Sequence, residues 1–243
     1  MLGFLKKWIK TPEKSVMEER RKGHRYDVPS NYPLVVKSGN ETIELVDISL
    51  SGMKVACSET HDIDDELDIK VCLEEDSVEV NGKVVYKHED DALGLYLNYS
   101  DSYLNYYYLI APLVIGSSLK EYPRERVNQN DPSYLKRVFF GGLSSCLTLW
   151  CNKEDENDFH LFELELEKFI VRGEKGALKF FNVKDEADTV RKTHKSSVLV
   201  NIDDNEFSDS TKFFRWILLN FDYPVVKEKL NAYLDNSSSQ KVG

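Results

Sequence analysis

The sequence predicts a mainly β, α+β protein. A six-stranded antiparallel barrel with a following helix comes first, and a second β-rich domain ending in helices comes after it. Short apolar–polar alternations separated by turn residues recur from Tyr32 to Asn98, and again from Tyr134 to Asp203. Each run passes into a helical pattern, first in "DSYLNYYYLIAPLVIG" and then in "SDSTKFFRWILLNFDYPVVKEKLNAYLDN". The organisation expected is an N-terminal amphipathic arm at residues 1–18, a barrel at 19–117, a linker at 118–132 and a C-terminal domain of unassigned function at 133–243.

In the arm, Leu2, Leu5, Trp8 and Ile9 recur at helical spacing with Lys6, Lys7 and Lys10 between them. A basic amphipathic helix of this kind docks on its own domain, on a protein partner, or weakly on an anionic membrane surface through residues 1–10. Thr11-Pro12 ends it, because the residue before proline is pushed out of helical angles. Residues 11–31 contain Gly23 and Pro29 and few apolar anchors, so mobility without ligand is expected there.

The barrel strands follow. "YPLVVKSGNETIELV" turns at Ser38-Gly39-Asn40, and "SGMKVAC" starts the next strand at a glycine. "ELDIKVCL" alternates Leu67, Ile69, Val71 and Leu73 against Asp68 and Lys70. "SVEVNGKVVYK" carries Asn81-Gly82 and is expected to fold back there, since a type I′ turn needs positive φ at both central residues. "ALGLYLN" is the last strand. In the helix after it, Tyr103, Tyr106, Tyr107 and Tyr108 are read as packing residues.

Residues 118–132, polar with two prolines, read as the linker. Beyond it, "YLKRVFFGGLSSCLTLWCN", "FHLFELELEKFIVRG", "ALKFFNV" and "SSVLVNID" read as strands. The clearest alternation is Phe162-Glu163-Leu164-Glu165-Leu166-Glu167, apolar inward and charged outward. Ser208 or Asp209 is the expected cap of the terminal helix, and Pro224 the point that kinks or divides it. Phe213, Phe214, Trp216, Ile217 and Phe221 form an apolar band, read as core packing with a partner groove as the alternative, and "NSSSQKVG" reads as a disordered tail.

Net charge is −10, which argues against a nucleic-acid polymer as partner, because that needs many cations facing phosphates. The positive charge is local. Residues 1–25 hold eight Lys/Arg against three acids, a net +5, so the other 218 residues carry −15. Cys57, Cys72, Cys146 and Cys151 form no CxxC pair and have no metal-ligand spacing, so they read as reduced core thiols. The N-terminal apolar stretch is too short for a signal peptide or a membrane span, and a cytoplasmic location is expected. There is no P-loop, GxSxG or HExxH, and no catalytic or metal site is expected. The acidic runs "HDIDDELD" and "NIDDNEFSD" lack EF-hand spacing and read as solvated loops.

Two pieces carry chemistry. One is Arg21-x-x-x-Arg25, preceded directly by Arg20. The other is "DISLSG", Asp47-x-Ser49-x-x-Gly52, between two strands. The first spacing alone is common. The second, at about 5–7% for each residue type, arises by chance in only a few per cent of such chains. Together, and followed by a barrel pattern, they resemble the PilZ domain, the bacterial receptor module for cyclic di-GMP. The resemblance covers residues ~19–117 and leaves the remainder unmatched. It implies a ligand site on Arg21, Arg25, Asp47, Ser49 and Gly52, with Arg20 added. In the family an extra arginine before the motif favours an intercalated ligand dimer, so Arg20 implies two nucleotides in the site.

The chemistry of these residues suits that ligand. Cyclic di-GMP presents two phosphodiester charges and two flat guanines. A guanidinium forks onto phosphate oxygens or guanine O6/N7 and stacks on a base face. A carboxylate beside a phosphate repels it, so Asp47 is assigned to a guanine edge or to orienting an arginine. Ser49 is a short donor and acceptor, and Gly52 permits a tight turn or a close approach. The resemblance further implies a non-enzymatic receptor that needs no cofactor. It would relay ligand binding to a protein partner, with motility, surface polysaccharide or gene expression as output. The alternative is a PilZ-like scaffold without ligand binding.

Overall fold

In the computed structural model the described residues are Lys6, Ile9, 24–39, 41–57, 61–88, 92–98, 100–129, 131–185, 197–202 and 204–239. Apart from Lys6 and Ile9, the arm expected at residues 1–18 lies outside them. The chain is mainly β and divides into two compact units that part between Leu113 and Val114, with Ile9 grouped in the second. Of the four cysteines expected in the core, only Cys151 is buried, and Cys57, Cys72 and Cys146 are half-buried.

The first unit is a closed antiparallel barrel of six strands: β1 (Leu34–Ser38), β2 (Glu41–Ser49), β3 (Gly52–Ala56), β4 (Glu66–Leu73), β5 (Asp76–Lys87) and β6 (Ala92–Leu97). The order around it is β1-β2-β3-β6-β5-β4, and β1 pairs with β4 to close it. The alternation read in the sequence becomes inside against outside. Val36, Ile48, Val55, Ile69, Val71, Val80 and Val84 are buried within it. Helix α1 (Asp101–Ser118) follows, and it is buried on all sides from Tyr106 to Ile115, as a helix apolar all round must be.

One hairpin falls elsewhere than expected. β5 runs unbroken through Asn81-Gly82, and the chain instead reverses at Glu74-Glu75, where Glu74 takes φ +52°. Leu73 faces Asp76 across this two-residue loop. The reason is non-local. Gly82 pairs with Leu67 on one side and Leu97 on the other, and it continues the inward set Val78, Val80, Gly82, Val84. Two strands of pairing outweigh a local turn preference.

The second unit is a seven-stranded antiparallel meander of β7 (Lys120–Glu121), β8 (Leu135–Phe140), β9 (Cys146–Cys151), β10 (Phe159–Leu166), β11 (Phe169–Glu174), β12 (Ala177–Asp185) and β13 (Ser197–Asn201), in chain order across the sheet. Helices α2 (Asp204–Leu219) and α3 (Pro224–Ser239) follow. The sheet buries Phe162, Leu164 and Leu166, while Glu163 pairs with Arg172 across the β10–β11 register at 2.9 Å. Phe213, Phe214, Trp216, Ile217 and Phe221 are buried, with Phe214 stacked on Phe162 at 5.7 Å. The apolar band is therefore core.

Three local expectations change in this unit. The polar stretch read as a linker contributes β7. Its Glu121 carboxylate accepts from the buried Arg137 at 2.8 and 2.9 Å, which ties the segment to the sheet. Helix α2 begins at Asp204, so Ser208 and Asp209 lie inside it. Phe207, edge-on to Phe180, draws that first turn into the core, and the hydroxyls of Ser210 and Thr211 bond back to Glu206 and Phe207 carbonyls. Pro224 does divide the terminal helix, but α3 continues through Ser239, well into the expected tail.

Gly82→Ala tests the strand assignment. An added Cβ meets only ordinary contacts, the nearest at 3.4 Å. Stability should therefore hold or rise by up to about 1 kcal/mol in urea denaturation. A clear loss would mean that a positive-φ turn sits there.

Candidate ligand-binding site

The described part of the arm is held to the barrel by backbone pairing. Tyr26 donates its amide to the Ile48 carbonyl at 2.8 Å and accepts from the Ile48 amide at 3.1 Å. Both side chains are buried, so the neighbouring residues on each strand face the other way. That alternation brings Arg25 to Asp47. Arg25 Nη1 donates to Asp47 Oδ1 at 2.9 Å, to Oδ2 at 3.0 Å and to the Tyr86 hydroxyl at 2.9 Å. The Tyr86 ring centroid lies 5.6 Å from the guanidinium carbon. The Tyr86 hydrogen bond first, then the Asp47 contacts, hold Arg25 more firmly in its charged form against the opposing effect of burial.

Two bulges aim these partners. In β2 the register with β3 skips from Leu45 to Asp47, and in β5 the register with β6 skips from Val84 to Tyr86. The extra residues, Val46 and Val85, are exposed at 41% and 46%. Each bulge stands immediately before a partner of Arg25 and turns that partner outward. Tyr86 had no motif to announce it. The signal that could have found it is Gly94, an isolated glycine inside a strand pattern. A Cβ on Gly94 would lie 1.9 Å from the Tyr86 ring, so the glycine is the seat on which that ring rests.

The rest of the strand-loop motif does different work. Ser49 is 9% exposed, and its Oγ donates to the Gly52 carbonyl at 3.1 Å and accepts from the Ser51 amide at 3.4 Å. It closes the β2–β3 turn. Gly52 is needed for a close approach, since a Cβ there would stand 2.2 Å from the Leu95 carbonyl oxygen of β6. Helix α1 grips the same turn. Tyr106 donates to the Ser49 carbonyl at 2.6 Å, and Tyr103 donates to that of Leu50. Burial pushes the Tyr106 hydroxyl well above its ordinary pKa and keeps it a donor. Two of the four tyrosines read as packing residues therefore also anchor the site.

The structure thus brings Arg25 and Asp47 together and places Ser49 and Gly52 in the turn beneath them. Arg20 and Arg21 lie outside the described residues. Of residues 11–31, expected to be mobile without ligand, 11–23 lie outside the described residues, and Tyr26 is buried. His24 is exposed and edge-on to Tyr26, with ring centroids 4.9 Å apart. Among the described residues no helix is long and apolar enough to cross a membrane.

Gly52→Ala should lower stability by about 3 kcal/mol in urea denaturation, because a backbone carbonyl cannot rotate away as a side chain does. A loss below about 0.5 kcal/mol, the range of ordinary surface substitutions, would show that β3 and β6 part without difficulty.

No curated protein matches the chain. The crystal structure of an uncharacterized Legionella protein is similar to it at 19% identity, over 37% of this chain and 92% of that one, with a TM-score of 0.33. The family model of the PilZ domain matches residues 19–102. That span takes in the arm with Arg21 and Arg25, the strand-loop motif, and all six barrel strands. Residues 19–102 of this chain are a PilZ domain.

Proposed function

We propose that this protein is a non-enzymatic cyclic di-GMP receptor of the cytoplasm that relays ligand binding to a protein partner. One observation carries the proposal. Arg25 of the arm and Asp47 of the strand loop, 22 residues apart in sequence, meet on the barrel. That contact supports reading the two halves of the motif as parts of one site.

The energetics favour exchange. The Arg25 side chain is 50% exposed, and an ion pair of that exposure contributes about 0–1 kcal/mol. A hydrogen bond to a ligand phosphate contributes about 1.5–3 kcal/mol, and a stack on guanine about 0.5–2. A guanidinium held this loosely is available to a ligand that offers both. In this reading Arg21 and Arg25 grip the ligand. Asp47 orients Arg25 and accepts from a guanine edge. Ser49 and Gly52 shape the turn that carries Asp47, and Arg20 sets two nucleotides per site. The hydrogen bonds from Tyr103 and Tyr106 to the turn carry its displacement into α1, which is the start of the relay. Motility, surface polysaccharide or gene expression is the output the family suggests.

Calorimetric titration of cyclic di-GMP should give saturable, micromolar binding with two ligands per chain. Arg21→Ala and Arg25→Ala should each weaken it about tenfold or more. No saturable binding by the wild type, or equal binding by all three proteins, removes the assignment and favours a scaffold. A thermal shift with cyclic di-GMP but not with GMP separates this receptor from a general nucleotide binder. Hydrogen exchange should show added protection over residues 11–30 when the ligand is present. Unchanged exchange there would sink the idea that the arm closes on the ligand.

A further inference from the structure

We infer that Lys54 is a further ligand-contacting residue of this site, the cation that receives a phosphate of the bound dinucleotide. This rests on the receptor reading above. Lys54 lies two residues beyond Gly52, outside the spacing of either motif half.

Register places it. Asp47 pairs with Lys54, Lys54 with Gly94, and Gly94 with Tyr86. The four residues form one row across β2, β3, β6 and β5. Met53 and Val55, on either side of Lys54, are buried, so Lys54 faces outward with the rest of the row. The ends of that row, Asp47 and Tyr86, are the two groups that hold Arg25. Lys54 therefore sits between them.

Charge makes it stand out. Arg25 is paired with Asp47, and the lysines of β5 are paired as well, Lys83 with Asp64 at 2.7 Å and Lys87 with Asp62 at 2.9 Å. Lys54 is half-buried, yet it has no hydrogen bond or ion pair among the described residues. Its direct cross-strand neighbour is an acid, but both Asp47 oxygens accept from Arg25 at 2.9 and 3.0 Å. A lysine whose stem is half-buried and whose ammonium has no anion paired to it is open to receive one. A compact ammonium with three rotatable donors suits phosphodiester oxygens, whereas the flat guanidinium beside it suits a base. The two cations thus divide the ligand between them.

Calorimetric titration of cyclic di-GMP against the wild type, Lys54→Gln, Lys54→Met, Lys54→Arg and Lys83→Gln tests this on the full chain. Lys54→Gln and Lys54→Met should each bind about tenfold more weakly, with unchanged melting temperature in the absence of ligand. Lys54→Arg, which keeps the charge, should recover most of that loss, and Lys83→Gln should bind as the wild type does. The gap between wild type and Lys54→Gln should also narrow as salt is raised, because the lost contact is electrostatic. If the wild type binds and both neutral variants titrate like it, the role of Lys54 is overturned while the receptor reading stands. If the wild type shows no saturable binding, both fall together.

Discussion

Tyr26 and Ile48 exchange two backbone hydrogen bonds and bury both side chains, and the rest of the site follows from that pair. It fixes where the arm meets β2. It also fixes which arm residues face the core and which face out. Arg25 can reach Asp47 because each is one residue removed from the bridge, on the side turned away from the core. A shift of one residue in that pairing would send Arg25 inward and expose Tyr26. Burial of one tyrosine thus sets the position of the charge beside it.

The barrel supplies the other half through irregularity. A regular β2 would turn Val46 outward in place of Asp47, and a regular β5 would turn Val85 outward in place of Tyr86. One extra residue in each strand turns Asp47 and Tyr86 outward, and both valines remain exposed beside them. Strand pairing then brings the aimed residues into one row with Lys54 and Gly94. The glycine matters as an absence: with no side chain at that point, the Tyr86 ring lies against the sheet and presents its hydroxyl to Arg25.

Within the strand-loop motif, chemistry and architecture are shared among residues two to five apart. Asp47 faces the arm, Ser49 closes the turn, and Gly52 admits the Leu95 carbonyl. Tyrosines of α1 hold the carbonyls that the turn leaves free. The strand-loop turn and the first turns of the helix are one hydrogen-bonded assembly.

The sequence by itself determined the strands, the barrel followed by a helix, the second β-rich domain and the two halves of the motif. Alternation and turn residues are local, and burial on one face turns them directly into strands. It left Asp47 open between a guanine edge and an arginine, and the fold brought it to Arg25. Tertiary structure decided the rest. It carried β5 through Asn81-Gly82, because pairing with β4 and β6 outweighs a local preference for a turn. It drew the polar stretch after α1 into a sheet, because the buried Arg137 needs Glu121. It set Tyr86 against Arg25 and Lys54 in the row between Asp47 and Gly94, because bulges and register, not any motif, fix those positions. Those are relations between strands far apart in the chain, and no short stretch of sequence contains them.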